Sequence, residues 1–356
     1  MGDSHSIDGH KLDLHLDRVC EWKFKGDTAP VYVEISPTSR CNHRCSFCAL
    51  DYINTLPEKS TISDSMLKKI GTELSGLGVR GVMFGGEGEP TLHHSLPEII
   101  GHYHDLEIDC GLTTNGTGLD EWFAVEGGEF LKWVKVSINA GDFVTYSRVH
   151  NVGGTEYDRI WNNIIEFKKA CSNNHPTIGV QAVAISDNVL SLPSLCRSAA
   201  IHELDYIVIK PYNPNSLSLN NKKGCFVIPQ EIVNDCLQYA NKKTEVIVRN
   251  RSVNSLSSDF SYPKCSAVPY FWFYINSKAE VIACPNHMTD NRFNLGNMNN
   301  QTIKDIWYSY TTNKREELKQ IMRSFDVSHC RKACRMDAIN EWLWKINRND
   351  NHKSFI

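Results

Sequence analysis

Between about residue 31 and residue 210, short β-rich runs alternate with amphipathic stretches at the spacing of repeated strand–helix units. The β-rich runs are Val31 to Ile35, Gly81 to Phe84, Glu107 to Leu112, Val134 to Ile138, Ile178 to Ile185 and Tyr206 to Ile209, six in all. Helical stretches fall between them: Asp64 to Leu74 behind a Ser63 cap, Leu96 to Tyr103, Leu119 to Phe123, Tyr157 to Lys169 and Leu190 to Ala200. Strands joined by helical crossovers are parallel, so the pattern predicts an α/β sheet, either open or wrapped toward a barrel.

After Lys210 the alternation breaks into PYNPNSLSLNNKKG, a Pro-, Asn- and Ser-rich loop or linker. Residues 261–356 differ in character: two β-like runs, Tyr270 to Ile275 and Ala279 to Ile282, flank a turn at Asn276 to Lys278. Helical stretches follow near Ile303 to Tyr310, Arg315 to Met322 and Met336 to Ile346. A chain of 356 residues suits two domains. The expected division is an N-terminal extension (1–30), the α/β core (31–212), a linker or insertion that completes the core (213–260) and a small α+β domain (261–356).

The formal charge of −3, from 38 Lys+Arg against 41 Asp+Glu, supplies no field for a polyanion, and the basic stretches Asn221 to Lys223 and Arg249 to Arg251 are short. Nucleic acid is therefore not expected as a partner. The longest apolar run, Ala267 to Ile275, has 9 residues, against the ~18 to 20 that cross a bilayer. With no apolar signal core at its start, the chain is expected to be cytoplasmic and free of membrane.

In a reducing compartment, 13 cysteines point to metal or chemistry rather than disulfides. Cys41, Cys45 and Cys48 fall within eight residues, as Cys-x-x-x-Cys-x-x-Cys just beyond the first strand. A structural zinc site needs four ligands, and the only extra candidate nearby, His43, lies inside the cluster and is poorly placed to close a tetrahedron. Three thiolates suit a four-iron cluster with one iron left open to bind and react.

With Phe47 before the last cysteine, this segment resembles the hallmark of the radical S-adenosylmethionine (SAM) superfamily, and further elements follow in register. In MFGGEGEPTLH, the residues Gly85, Gly86 and Glu87 resemble the family's GGE motif, which holds the SAM amino group; glycines allow close backbone approach and a carboxylate suits an ammonium. TTNG, with Thr113 and Asn115, resembles the end of the third strand. VSINAG, with Ser137 and Asn139, resembles the ribose motif of the fourth, and GVQAV offers Gln181 and Val183 for the adenine and sugar region. The resemblance implies a partial (β/α)6 TIM-like barrel, with Cys41, Cys45 and Cys48 as ligands of a SAM-binding 4Fe–4S cluster and the other residues around SAM. By contrast, Gly76, Gly78 and Gly81 satisfy G-x-G-x-x-G but follow a helix and precede a strand, the reverse of what a dinucleotide site requires.

A second group has Cys265 and Cys284 separated by 18 residues, then 45 residues, then Cys330 and Cys334 separated by three. Taken alone, these four could bind zinc. Behind a core of the kind described, they resemble the twitch form of the SPASM/twitch domains. FYINSKAEVIACP resembles that domain's hairpin, and the segment Phe293 to Trp307 its following helix. The resemblance implies one auxiliary 4Fe–4S cluster held by all four cysteines, with His287 and His329 outside the ligand set.

For such an enzyme the resemblance implies a reductant, such as flavodoxin or ferredoxin, and cleavage of SAM to a 5'-deoxyadenosyl radical that takes hydrogen from a small-molecule substrate. The spacing of the late cysteines resembles that of twitch-containing aminocyclitol dehydrogenases. The expected substrate is accordingly polyhydroxylated (a sugar, nucleotide-sugar or aminocyclitol), oxidised at an alcohol carbon with the auxiliary cluster accepting an electron. Two rival enzymes are a peptide maturase and a radical epimerase. The first commonly carries an N-terminal recognition module, for which the 40 residues before Cys41 are too few; the second needs a hydrogen donor such as Cys110, Cys225 or Cys236. An electron carrier or sensor would need neither GGE nor a ribose motif. Arg148 and Lys210, near strand ends, are candidate anion contacts, while the catalytic base and the oligomeric state are not legible.

Overall fold

The computed structural model describes residues 3–171, 176–220, 225–308 and 313–348. The basic stretch Asn221 to Lys223, the end of the helix expected at Ile303 to Tyr310 and the tail beyond 348 lie outside the described residues. In chain order the elements are α1 (Leu16–Lys25), β1 (Tyr32–Ile35), α2 (Asp64–Leu77), β2 (Gly81–Phe84), α3 (Leu96–Asp105), β3 (Asp109–Thr114), α4 (Glu121–Glu126), β4 (Leu131–Ser137), α5 (Phe143–His150), α6 (Glu156–Ala170), β5 (Thr177–Ala184), α7 (Leu192–Ile201), β6 (Tyr206–Pro211), α8 (Gln230–Leu237), β7 (Glu245–Val248), α9 (Asn250–Ser257), β8 (Trp272–Ile275), β9 (Glu280–Ile282), β10 (Asn294–Asn297), α10 (Ile303–Tyr308), α11 (Lys314–Ser324) and α12 (Asp337–Asn347).

Local signals set these elements. The Ser63 hydroxyl accepts the Met66 N–H at 3.3 Å and caps α2, whose Leu67, Ile70 and Leu74 form one buried stripe. Gly78 ends that helix in the left-handed conformation. The Gly76–Gly81 series therefore closes a helix and opens a strand, as its order in the sequence indicates.

All six expected strands and the late hairpin are present, and they belong to one sheet ordered β10-β9-β8-β1-β2-β3-β4-β5-β6-β7. Strands β1 to β7 are parallel neighbours in sequence order. Strand β8 adds to β1, also in parallel, with Tyr32 opposite Trp272 and Ile35 opposite Ile275, and β9 and β10 then turn antiparallel. The sheet thus runs unbroken from the α/β core into the C-terminal region. Among the described residues its edge strands β10 and β7 do not pair with each other, so the mixed α/β fold is a partial barrel with an α+β extension.

The two faces of the sheet differ. Val134, Val136, Val180, Ala182, Ile207 and Ile209 are buried on the outer face, in the core beneath the helices. On the inner face Thr113, Lys135, Ser137, Gln181, Val183 and Lys210 keep partial solvent access. Gly111 and Gly179 make room there for two rings: a Cβ on Gly111 would lie 2.2 Å from Trp133, and one on Gly179 would lie 2.3 Å from Tyr206. Tyr206 packs with Val208, Ile247 and Ile7 of the N-terminal segment, which fills the lower end of the inner face.

A buried cation ties α11 to the chain before β1. Arg315, 0% exposed, pairs with Asp27, donates to the Pro269 carbonyl at 2.8 Å, and lies 3.9 Å from the Trp307 ring centroid. No helix among the described residues is long and apolar enough to cross a membrane.

Candidate functional site

The loop after β1 carries Cys41, Cys45 and Cys48 and rests on the C-terminal end of α5: Arg44 N–H donates to the His150 carbonyl at 3.1 Å and Ser46 N–H to that of Val149 at 2.8 Å. Helix α5, unread in the sequence, starts at an Asp142 cap and ends at His150. His150 is buried with its ring stacked on Tyr146 at 4.0 Å. Its Nε2 accepts the Asn139 N–H at 3.2 Å, which leaves the proton of the neutral ring on Nδ1, 3.4 Å from Cys45 Sγ. Burial, and to a lesser degree the charge of His43, hold His150 well below the usual histidine range, so it is neutral at pH 7.

The loop is clamped from above as well. Arg44 donates to the Cys41 and His43 carbonyls at 2.6 and 2.7 Å. The Ser218 hydroxyl, on the segment after β6, donates to the Cys48 carbonyl at 3.2 Å, while Asp51 accepts from Leu219 N–H and the Asn220 amide at 2.9 and 2.6 Å. Burial raises all three thiols, Cys48 to about 11 and Cys45 well above the usual thiol range, the latter helped by repulsion from Cys48 and Cys41. Three half-buried thiols that repel one another when ionised suit a cationic iron cluster, and loading them would release protons.

His43, Cys45 and His150 also offer ligand atoms within 4.8 Å of one another. Both nitrogens of His150 are already engaged, which makes it a donor to the sulfur rather than a ligand.

The segment after β2 passes very close to the thiol loop. A Cβ on Gly88 would lie 2.2 Å from the Arg40 carbonyl, so only glycine fits there. Gly86 has φ +107°, with Tyr274 Oη where a Cβ would be. Glu87 turns toward the β8–β9 hairpin and accepts the Ser277 N–H at 2.7 Å. Glu89, two residues on and unread in the sequence, is 3% exposed and faces the site: it accepts from Asn115 N–H and Thr114 hydroxyl, both at 2.6 Å, and its charge is felt by Cys41 and Cys45. Only the fold separates these two acids, since both sit in the same Gly-rich run.

Of the other expected residues, Asn115 donates to Asn42 at 2.7 Å and so links β3 to the thiol loop. Asn139 accepts the Val183 N–H at 2.6 Å and faces His150, cross-linking β4, β5 and α5. Phe47 and Val183 join one apolar cluster with Val149, Ile185 and Tyr212. Thr113, Ser137 and Gln181 stand partly exposed on the inner face, the last two directly opposite each other. Arg148 instead donates to the Asp187 carbonyl at 2.8 Å on the exposed side of α5. Cys110 and Cys236 are buried beneath the helices, and Cys225 is exposed.

Cys265, Cys284, Cys330 and Cys334 converge as a second set. Each thiol is raised first by burial, Cys330 to about 11 and Cys334 to about 12, and the charge of Cys265 adds to the effect on the other three. The Asn340 amide nitrogen donates to Cys265 Sγ at 3.2 Å. Its orientation follows from the amide oxygen, which accepts Ser266 and Ala267 N–H at 2.7 and 2.9 Å. His287 Nε2 lies 3.8 Å from Cys330 Sγ, with its ring stacked on Phe293; the side chain of His329 is 81% exposed.

A thiol triad at the mouth of a partial parallel barrel, joined to a four-thiol set, defines an iron–sulfur enzyme. Residues 35–182 match the Radical SAM superfamily and residues 265–335 an iron-sulfur cluster-binding domain of the SPASM type. The chain therefore carries a radical SAM domain followed by a C-terminal SPASM domain. These domains imply two 4Fe–4S clusters, one that binds SAM and one auxiliary.

The chain is 29% identical over 213 residues to the GTP 3',8-cyclase of Corynebacterium glutamicum, a match over 56% of this chain that spans only 54% of the cyclase. It is 23% identical over 295 residues to a tungsten-containing aldehyde ferredoxin oxidoreductase cofactor-modifying protein of Pyrococcus furiosus, covering 78% of this chain and 80% of that protein. Among solved structures, Streptococcus suis SuiB bound to S-adenosylmethionine superposes with a TM-score of 0.65 at 16% identity, over 88% of this chain and 72% of SuiB. anSMEcpe with bound AdoMet does so at 0.58 and 17%, over 88% and 85%. At such identities these structures speak for the fold alone.

Proposed function

We propose that Cys41, Cys45 and Cys48 hold the SAM-binding cluster, that Cys265, Cys284, Cys330 and Cys334 hold the auxiliary one, and that SAM lies between the thiol loop and the ends of β2 to β5. When bound, these groups supply a 5'-deoxyadenosyl radical, and the substrate is a small polyhydroxylated molecule oxidised at an alcohol carbon.

The observation that carries this reading is His150, whose tautomer is locked by Asn139 so that an N–H is aimed at Cys45 Sγ. Such a donor suits a thiolate bound to a cluster. The chain's own work is aim and exclusion. Glu89, fixed by Thr114 and Asn115, offers a buried carboxylate to an ammonium; Phe47, Val183 and Tyr212 keep water from the cluster side. Thr113, Ser137 and Gln181 give the inner face neutral hydrogen-bonding groups suited to hydroxyls. The names of two relatives, which specify GTP cyclisation and cofactor modification, also favour small-molecule chemistry.

The test is air-free reconstitution, then SAM and dithionite, with 5'-deoxyadenosine as the readout. Formation by the wild type and none by Cys45→Ala is expected; no product from protein with intact clusters would defeat the reading. Deuterium transfer from labelled sugars and cyclitols into 5'-deoxyadenosine then identifies the substrate, and labelled peptides alone giving transfer would overturn the small-molecule assignment.

A further inference from the structure

We propose that Lys135, Lys210 and Arg249 form an anion-binding wall on the inner face of the barrel, and that the substrate is held there by a phosphate or diphosphate group. The inference rests on the reading that this inner face is the substrate cavity.

Strand register places the three cations. Lys135 lies on β4 between Thr113 of β3 and Gly179 of β5, and Lys210 lies on β6 opposite Val183. Arg249 directly follows β7, its N–H on the Ile209 carbonyl at 3.0 Å. Their chain neighbours Val134, Val136, Ile209 and Val248 are buried in the core beneath the helices, so the three side chains belong to the opposite, partly exposed face. Trp133, Tyr206 and Ile7 fill the space below. The cations therefore stand above a closed end, one layer below Ser137 in the case of Lys135.

Two of the three charges there are not balanced by protein. Among the described residues no acid pairs with either lysine; the contact recorded for Lys135 is the Trp133 ring, 5.1 Å from Nζ. Arg249 Nε faces Asp8 at 3.4 Å, and Glu34 is taken by Arg335. Arg331 and Lys11 add further positive charge, felt by Lys210 and Lys135 respectively. Burial, then repulsion from Arg249 and the other cations, depresses Lys135 to about 8 and Lys210 to about 7. A wall that carries like charges at a cost to itself is characteristic of a ligand site.

SAM does not answer to this wall. Its amino-acid end is a zwitterion with one carboxylate, and its sulfonium is cationic. A phosphate or diphosphate brings two or more negative charges and several acceptor oxygens, which two flexible ammonium groups and one guanidinium fork can share.

The experiment uses the reconstituted holoprotein under SAM, with inorganic pyrophosphate, inorganic phosphate and malonate as probes and thermal unfolding and calorimetry as readouts. Pyrophosphate should raise the melting temperature of the wild type and bind at least about tenfold more weakly to Lys135→Gln/Lys210→Gln. Without ligand, that double variant should melt higher than the wild type because it lacks the repulsion, a result that a merely structural role for the lysines would not give. Lys210→Arg should retain binding. Equal pyrophosphate binding by wild type and double variant would overturn the proposal, as would protection by malonate equal to that by pyrophosphate. If the wild type forms 5'-deoxyadenosine but binds no pyrophosphate, this inference fails while the proposed function stands. If it forms none, the function reading fails first and takes the substrate cavity with it.

Discussion

Cys41, Cys45 and Cys48 sit on a single loop after β1, whereas Cys265, Cys284, Cys330 and Cys334 come from the segment before β8, the end of β9 and the loop before α12. The first set leans on the ends of the sheet and on α5; the second exists only once the C-terminal chain has closed on itself. Each has one side-chain donor locked at its far end: His150, whose Nε2 is held by Asn139 N–H, and Asn340, whose oxygen is held by two backbone N–H groups. The difference lies in number. Under the proposed assignment, three sulfurs would leave one iron of a cube without a protein ligand and four would leave none, which would separate a reacting corner from a closed cluster.

The largest expected effects come from removing a ligand on either side. Wild-type protein should bind about eight irons, and Cys45→Ala and Cys284→Ala about four each. Cys45→Ala should drop 5'-deoxyadenosine formation to background, while Cys284→Ala should keep SAM cleavage and lose substrate turnover. Equal loss of SAM cleavage in both would erase the distinction between the sites.

Next in size is the anchor of the second region. Arg315→Met leaves Asp27 with Lys319 alone and takes the donor from the Pro269 carbonyl, and should cost about 1–3 kcal/mol in chemical denaturation. The iron of the second site should be lost at lower denaturant than that of the first.

A smaller effect compares the two locked donors. An N–H···S bond favours the more negative, reduced cluster, so His150→Phe should lower the potential of the first cluster by tens of millivolts, on the order of 1 kcal/mol. Asn340→Ala should do the same for the second only, and potentiometric EPR reads both.

A further effect is on the pH dependence of stability. Lys210 and Lys135 are lowered by burial and by neighbouring cations to about 7 and about 8, against ~10.4 in the unfolded chain. Between these values the unfolded state binds more protons, so their contribution to stability rises with pH; below ~7 the penalty is fully present. The gap in unfolding free energy between Lys210→Met and wild type should therefore shrink from about pH 6.5 to about pH 9.5.

Much of this was legible in the residues. Six strands, the Ser63 cap and both cysteine groups rest on local pattern, which a sequence displays directly. The parallel junction of β1 with β8 joins residues far apart in the chain and has no local signature. Strand β7 is a four-residue run inside a stretch that reads as linker. Helix α5 escaped because Tyr146 and His150 bury aromatic rings rather than an aliphatic stripe, and with it went the donor to Cys45. Glu87 and Glu89 are alike in sequence, and the backbone between them, bent at Gly88, decides which faces the thiols.

Of all these comparisons, the EPR response of the two reduced ligand variants to SAM bears most directly on the account. Cys284→Ala isolates the first site and should show a changed signal when SAM is added; Cys45→Ala isolates the second and should show none. A SAM-induced change in Cys45→Ala, or an unmoved signal in Cys284→Ala, would contradict the assignment of the open corner to the loop after β1.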